Sequence, residues 1–135
     1  MPKRAYLLPS LLFAVLICCN TIVNAQALSA RYANVSNVKN TFVISNSQAN
    51  IDLSYEAYPN SIESATVHTK LQKKILFFFW SDVVEWTDTS VKSRDTFSHQ
   101  LSIDDAEYRL EVTYQIKGID GVIDTIQETV TPIYK

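Results

Sequence analysis

The sequence predicts an all-β fold, an antiparallel sandwich of about seven strands. Three observations point there. Four segments alternate apolar and polar residues with the two-residue period of a half-buried strand. Polar turn residues separate these segments. The chain has only two glycines in 135 residues, Gly118 and Gly121, and both fall in a single reversal.

The first element is a leader. Lys3 and Arg4 open it, an apolar run follows from Leu7 to Cys19, and Val23-Asn24-Ala25 offers small residues where signal peptidase cuts. The run is short for a bilayer span, which takes about 20 apolar residues. Leu16-Ile17-Cys18-Cys19 fits a lipoprotein signal poorly, because a cysteine stands where a small residue is needed before the lipidated one. Cleavage after Ala25, or after Ala27 in Ala25-Gln26-Ala27, is therefore expected to release the chain from the cell. An uncleaved anchor is the alternative. Removing 25 of the 135 residues leaves 110, one domain large enough to bury its own core. Both cysteines, Cys18 and Cys19, leave with the leader, so the processed domain is expected to carry no disulfide, thiol nucleophile or thiolate metal site.

Residues 26–40 are polar and irregular and read as a flexible leader or a loose edge strand; the sandwich itself is expected over 41–135. Thr41–Ser45 is the first regular strand. Ile51, Leu53, Tyr55 and Ala57 alternate with Asp52, Ser54 and Glu56 until Pro59-Asn60 turns the chain. Ala65, Val67, Thr69 and Leu71 form the next apolar face, and a further strand is expected around Trp80–Trp86. Phe97, His99, Leu101 and Ile103 repeat the pattern. Tyr108, Leu110, Val112, Tyr114 and Ile116 give the strongest signal in the chain. Gly118-Ile119-Asp120-Gly121 closes a hairpin in which both glycines are expected at positive φ. A last strand runs from Val122 to about Val130, where Pro132 marks an edge or an end. A competing pattern crosses the same region. Asn60-Ser61-Ile62-Glu63 resembles a capping box, and Val67, Leu71, Ile75, Phe79 and Val83 recur at i, i+4 spacing, so a helix over 61–86 in an α+β fold is the alternative.

Asp105-Ala106-Glu107-Tyr108-Arg109-Leu110 resembles the corner entering strand F of immunoglobulin-like domains. The resemblance implies that the Tyr108 hydroxyl bonds back to upstream backbone. It also places Leu110 where an antibody domain has its second cysteine, so a disulfide-free relative closer to fibronectin type III modules is expected. A looser likeness is to small secreted β-sandwich modules of Gram-positive bacteria, carried by Leu71-Gln72-Lys73-Lys74, Trp80 with Val83, Tyr108-Arg109 and Val112. That likeness implies export and fold, and no catalytic residue.

Without Lys3 and Arg4 the chain has 10 basic against 14 acidic side chains, a net charge of −4 with the signs interspersed. Such a surface disfavours nucleic acid and anionic lipid. The most unusual stretch is Phe77-Phe78-Phe79-Trp80. A strand shows alternate residues to one face, so four consecutive aromatics cannot share a core; two rings in the core with the others covered by neighbours is the plainer expectation. An exposed patch would mark an interface, a ligand groove or, with Lys73 and Lys74 beside it, a membrane contact. Trp80 and Trp86 are six apart and share a face on an unbulged strand. With Tyr58 they could form a platform for a sugar's apolar face, although one tryptophan in the core and one at its rim is the plainer reading.

His68 is expected to be solvated beside Lys70, and His99 to be bonded to backbone among apolar neighbours. No HxH or HExxH pattern supports zinc. Asp104, Asp105 and Glu107 lack the spacing of a calcium loop and read as turn-shaping residues. No phosphate-cradling glycine loop or nucleophile elbow exists, so no cofactor is implied and catalysis is not expected. Asn34-Val35-Ser36 is a glycosylation acceptor in a eukaryotic host. The expected function is a secreted, non-enzymatic module that binds a protein or carbohydrate through Phe77, Phe78, Trp80, Trp86 and Tyr58. A membrane-active protein using an aromatic hairpin over 75–86 is the alternative, and a small hydrolase using His99 a third.

Overall fold

A computed structural model describes Tyr32–Lys135. The expected leader, its cleavage sites and both cysteines lie outside the described residues. The chain forms β1 (Val35–Ser45), β2 (Gln48–Ala57), β3 (Ile62–Ile75), β4 (Phe79–Ser90), β5 (Arg94–Ser102), β6 (Tyr108–Gly118), β7 (Ile123–Val130) and the two-residue β8 (Ile133–Tyr134). These make two four-stranded sheets, ordered β5-β2-β1-β8 and β4-β3-β6-β7. All pairings are antiparallel except the short contact of β1 with β8. The fold is the β-sandwich that the alternation predicts.

The helix over 61–86 does not form. Its supposed apolar stripe divides between environments: Val67 and Leu71 are fully buried, whereas Ile75, Phe79 and Val83 are exposed. A helical stripe would have to be covered along its whole length; two strands joined by a hairpin need cover only alternate residues. The first strand also begins at Val35 rather than Thr41, because Val35 and Asn37–Ser45 pair with β2. Asn46 and Ser47, at φ 50° and 58°, make the two-residue turn between β1 and β2. Positive φ at both central positions matches the right-handed twist of the flanking strands.

The core lies between the sheets. Ile51, Leu53 and Tyr55 of β2 and Phe42 of β1 face Val67 and Leu71 of β3, Leu110, Val112, Tyr114 and Ile116 of β6, and Ile126 of β7. At about 25 cal/mol per Å² of apolar surface removed from water, these side chains are the main source of stability. The buried Thr69 hydroxyl has no hydrogen-bond partner among the described residues, but other polar groups are paired across the layers. The Tyr114 hydroxyl donates to Asn40 Oδ1 at 2.5 Å, and burial together with the Glu128 charge raises its pKa. The Asn34 backbone N–H donates to the Asp124 carboxylate at 2.6 Å.

Asn34 and Gly118 form one closure. Asn34 is buried, and its side-chain amide donates to the Val122 carbonyl at 3.2 Å. A glycan on that nitrogen is incompatible with this packing. A Cβ on Gly118 would come within 2.5 Å of Asn34 Oδ1 and of Asp120 Oδ1. Only Gly121, at φ 84°, is a positive-φ glycine. Gly118 is required by close approach, which corrects the expectation that both glycines serve the turn through φ.

Candidate functional site

The β3–β4 hairpin extends past the body of the sandwich. Pairing of β3 with β6 ends at Lys73↔Tyr108, followed by one backbone bond from the Lys74 N–H to the Glu107 carbonyl. Beyond this neck, Ile75 pairs only with Phe79, and Leu76-Phe77-Phe78 form the loop. The loop side chains point into solvent: Leu76 is 79% exposed, Phe77 85%, Phe78 84% and Phe79 62%. The Phe77 and Phe78 rings lie 6.4 Å apart, tilted by 58°. The expectation that two of the four rings enter the core is therefore corrected. Their strand segments have run beyond the sheet that would have covered them. Leu76 adopts φ 52°. A leucine in the left-handed region costs on the order of 1 kcal/mol that a glycine would not.

The neck is polar and closed by ion pairs. Lys73 is bonded to Asp104, and Lys74 Nζ donates to Glu107 Oε2 at 2.9 Å. Asp104 also accepts the Tyr108 hydroxyl. The bond from Lys73, then that from Tyr108, holds the Asp104 carboxyl below its usual pKa. Burial, then the bond to Asp104, pushes Tyr108 up to about 12. Tyr108 thus ties the β5–β6 corner through the Asp104 carboxylate, where a bond to upstream backbone was expected. Leu110 is fully buried opposite Leu71. Asp104 and Glu107, considered above as calcium ligands, are engaged by lysines. Among the described residues no cluster of three or more His, Cys, Asp or Glu could hold a metal ion.

The tryptophans separate. The register of β3 with β4 shifts between Leu71 and Gln72, so that Leu71 opposes Val84 and Gln72 opposes Asp82. Val83 is the extra residue of a bulge, and an extra residue reverses the faces of everything beyond it. Trp80 consequently lies on the outer face, with the Arg109 guanidinium 4.4 Å and Lys74 Nζ 5.8 Å from its ring centroid. Arg109 is held there by Gln72 Oε1 at 2.8 Å and Glu111 at 3.0 Å. Trp86 lies on the inner face, packed against the core and stacked on His99. Tyr58 precedes β3 while Trp80 pairs near its other end; about 3.3 Å per strand residue separates them by roughly 40 Å. No sugar platform of Tyr58, Trp80 and Trp86 exists.

His68 is exposed, with Nδ1 3.1 Å from Thr87 Oγ1. His99 is bonded to the Asp88 carboxylate at 2.7 Å rather than to backbone. Sequence reading missed Asp88 because it lies eleven residues away on the other sheet. A shallow depression of about 440 Å³ on the outer face of β1, β2 and β5 is lined by polar residues including Lys39, Glu56 and Arg94. No helix among the described residues is long and apolar enough to cross a membrane. No protein-family model matches the chain, and no curated protein matches it.

Proposed function

We propose that this protein is an exported, non-enzymatic β-sandwich module that docks at the cell surface through the tip of the β3–β4 hairpin. One observation carries the reading: four consecutive apolar residues, Leu76 to Phe79, stand in water beyond the sheets. A contiguous apolar projection is unfavourable in solution unless something covers it. The strained φ of Leu76 points the same way, since a glycine there would relax the loop but remove a contact residue.

Export rests on the Lys3–Ala25 leader pattern. An immunoglobulin-like assignment is supported by three pairings. That arrangement joins strands B and E in one sheet and C, F and G in the other. Here β2 pairs β5, β3 pairs β6, and β6 pairs β7. The non-enzymatic part is supported by His99, which Asp88 and Trp86 hold in a packing role.

The test is retention of the exported protein on intact producer cells. The unaltered protein is retained. Phe77→Ser/Phe78→Ser, with an unchanged melting temperature, is found in the medium. Equal retention of both would overturn the proposal.

A further inference from the structure

We infer that the tip is covered by the interfacial layer of a lipid bilayer, one composed of zwitterionic lipid. This rests on the reading that the hairpin tip is the docking element, and it specifies the target.

Shape is the first ground. Ile75 to Phe79 is an unbroken apolar run in which no side chain can donate or accept a hydrogen bond. It forms a convex knob at the end of a hairpin. A protein partner would need a deep apolar socket of matching shape. A fluid lipid layer accommodates the knob without one.

Length is the second. From the Lys74 neck to Phe77 is three residues, about 10 Å at 3.3 Å per strand residue. Interfacial segments bury their apolar face roughly 5–10 Å below the headgroup boundary. The peptide groups of Leu76-Phe77-Phe78 lie outside the strand ladder. Unpaired backbone is unfavourable in hydrocarbon, so penetration stops at this depth.

The neck is the third ground. Trp80, between Arg109 and Lys74, stands where an indole meets headgroups. The three cations of the neck are already paired: Lys73 with Asp104, Lys74 with Glu107, and Arg109 with Glu111. Each of these three brings a carboxylate with it and so offers anionic lipid little net attraction, which is why the lipid is assigned as zwitterionic.

The experiment is flotation of the exported protein with phosphatidylcholine vesicles. The unaltered protein floats with the vesicles. Phe77→Ser/Phe78→Ser loses at least about thirty-fold in partitioning, as removal of two large apolar side chains from a lipid contact requires. Phe78→Asp, a single change at a solvent-exposed position, loses binding as well. Raising salt from about 0.1 to 0.5 M, which screens charge but not apolar contact, leaves binding within about two-fold. Failure of the unaltered protein to float, or equal flotation of the tip variants, overturns the inference. So does binding that needs phosphatidylserine and vanishes in salt. If flotation fails while the same variants still lose retention on cells, the docking reading stands and an apolar socket on a protein replaces the bilayer. If the variants keep cell retention, the docking reading itself fails.

Discussion

The indole of Trp86 lies flat on the imidazole of His99, with ring centroids 4.5 Å apart and planes 15° from parallel. Trp86 belongs to β4 and His99 to β5, so the stack joins the two sheets at the edge where the chain crosses between them. Asp88 fixes the ring at its edge, with the His99 Nε2 2.7 Å from Asp88 Oδ2. Trp86→Ala is expected to lower unfolding free energy by about 3 kcal/mol. His99→Ala is expected to cost about 1–2 kcal/mol by leaving Asp88 without its partner. Denaturant titration of both variants and the double should give less than the sum, because the rings touch.

Asn34 and Gly118 supply a second coupled pair. Gly118→Ala forces a methyl group into the space held by the Asn34 amide, for a loss of about 1–3 kcal/mol. In an Asn34→Ala background two of the three close contacts are gone and only Asp120 Oδ1 remains, so the added cost of Gly118→Ala should shrink without vanishing. Gly121 has open space around its Cβ position and a φ of 84°, so Gly121→Ala should cost about 1 kcal/mol in either background. A double-mutant cycle by thermal unfolding distinguishes the two glycines.

The Tyr108 corner should respond to pH from both sides. The folded-state pKa of Tyr108 is raised to about 12 from an ordinary 10. Its contribution is complete below pH 10 and is lost as pH rises towards 12. Asp104 has the opposite sign. Its folded-state pKa is lowered, so its contribution is present above the ordinary carboxylate range and is lost as pH falls below it. Unfolding midpoints followed across pH should show that Asp104→Asn flattens part of the acid limb and Tyr108→Phe part of the alkaline limb. Unchanged limbs in both variants would remove the corner from the stability of the fold.

If the tip docks as proposed, Leu76 sets stability against docking. Leu76→Gly relieves a positive φ of 52° and should raise stability by about 0.5–1 kcal/mol, offset in part by glycine's greater freedom in the unfolded chain. The same change removes one exposed apolar side chain and should weaken docking several-fold. A melting curve and a retention assay on the one variant test both halves.

The apolar faces of β2, β3 and β6 were legible because each strand has one face towards the core and repeats every second residue. The fate of β4 was not. Its tryptophans sit at even spacing, and a bulge at Val83 with no glycine to mark it sends them to opposite faces. The aromatic run was conspicuous in the sequence, yet only the end of β3–β6 pairing at Lys73 shows that its phenylalanines lie past the core. Asp88 meets His99 because consecutive strands cross between the sheets, and Asn34 meets Gly118 by packing over a long separation; spacing along the chain encodes neither. The two-residue β8 has too little sequence to carry a period.

Hydroxyl-radical footprinting of Phe77 and Phe78, on the purified protein free in solution and again on intact producer cells, examines exposure and the proposed docking together. Both rings should be heavily oxidised in solution and strongly protected on cells, while the buried Tyr114 stays unmodified throughout. Rings already protected in the free protein, or oxidised equally in both settings, would rule out the hairpin tip as the docking element.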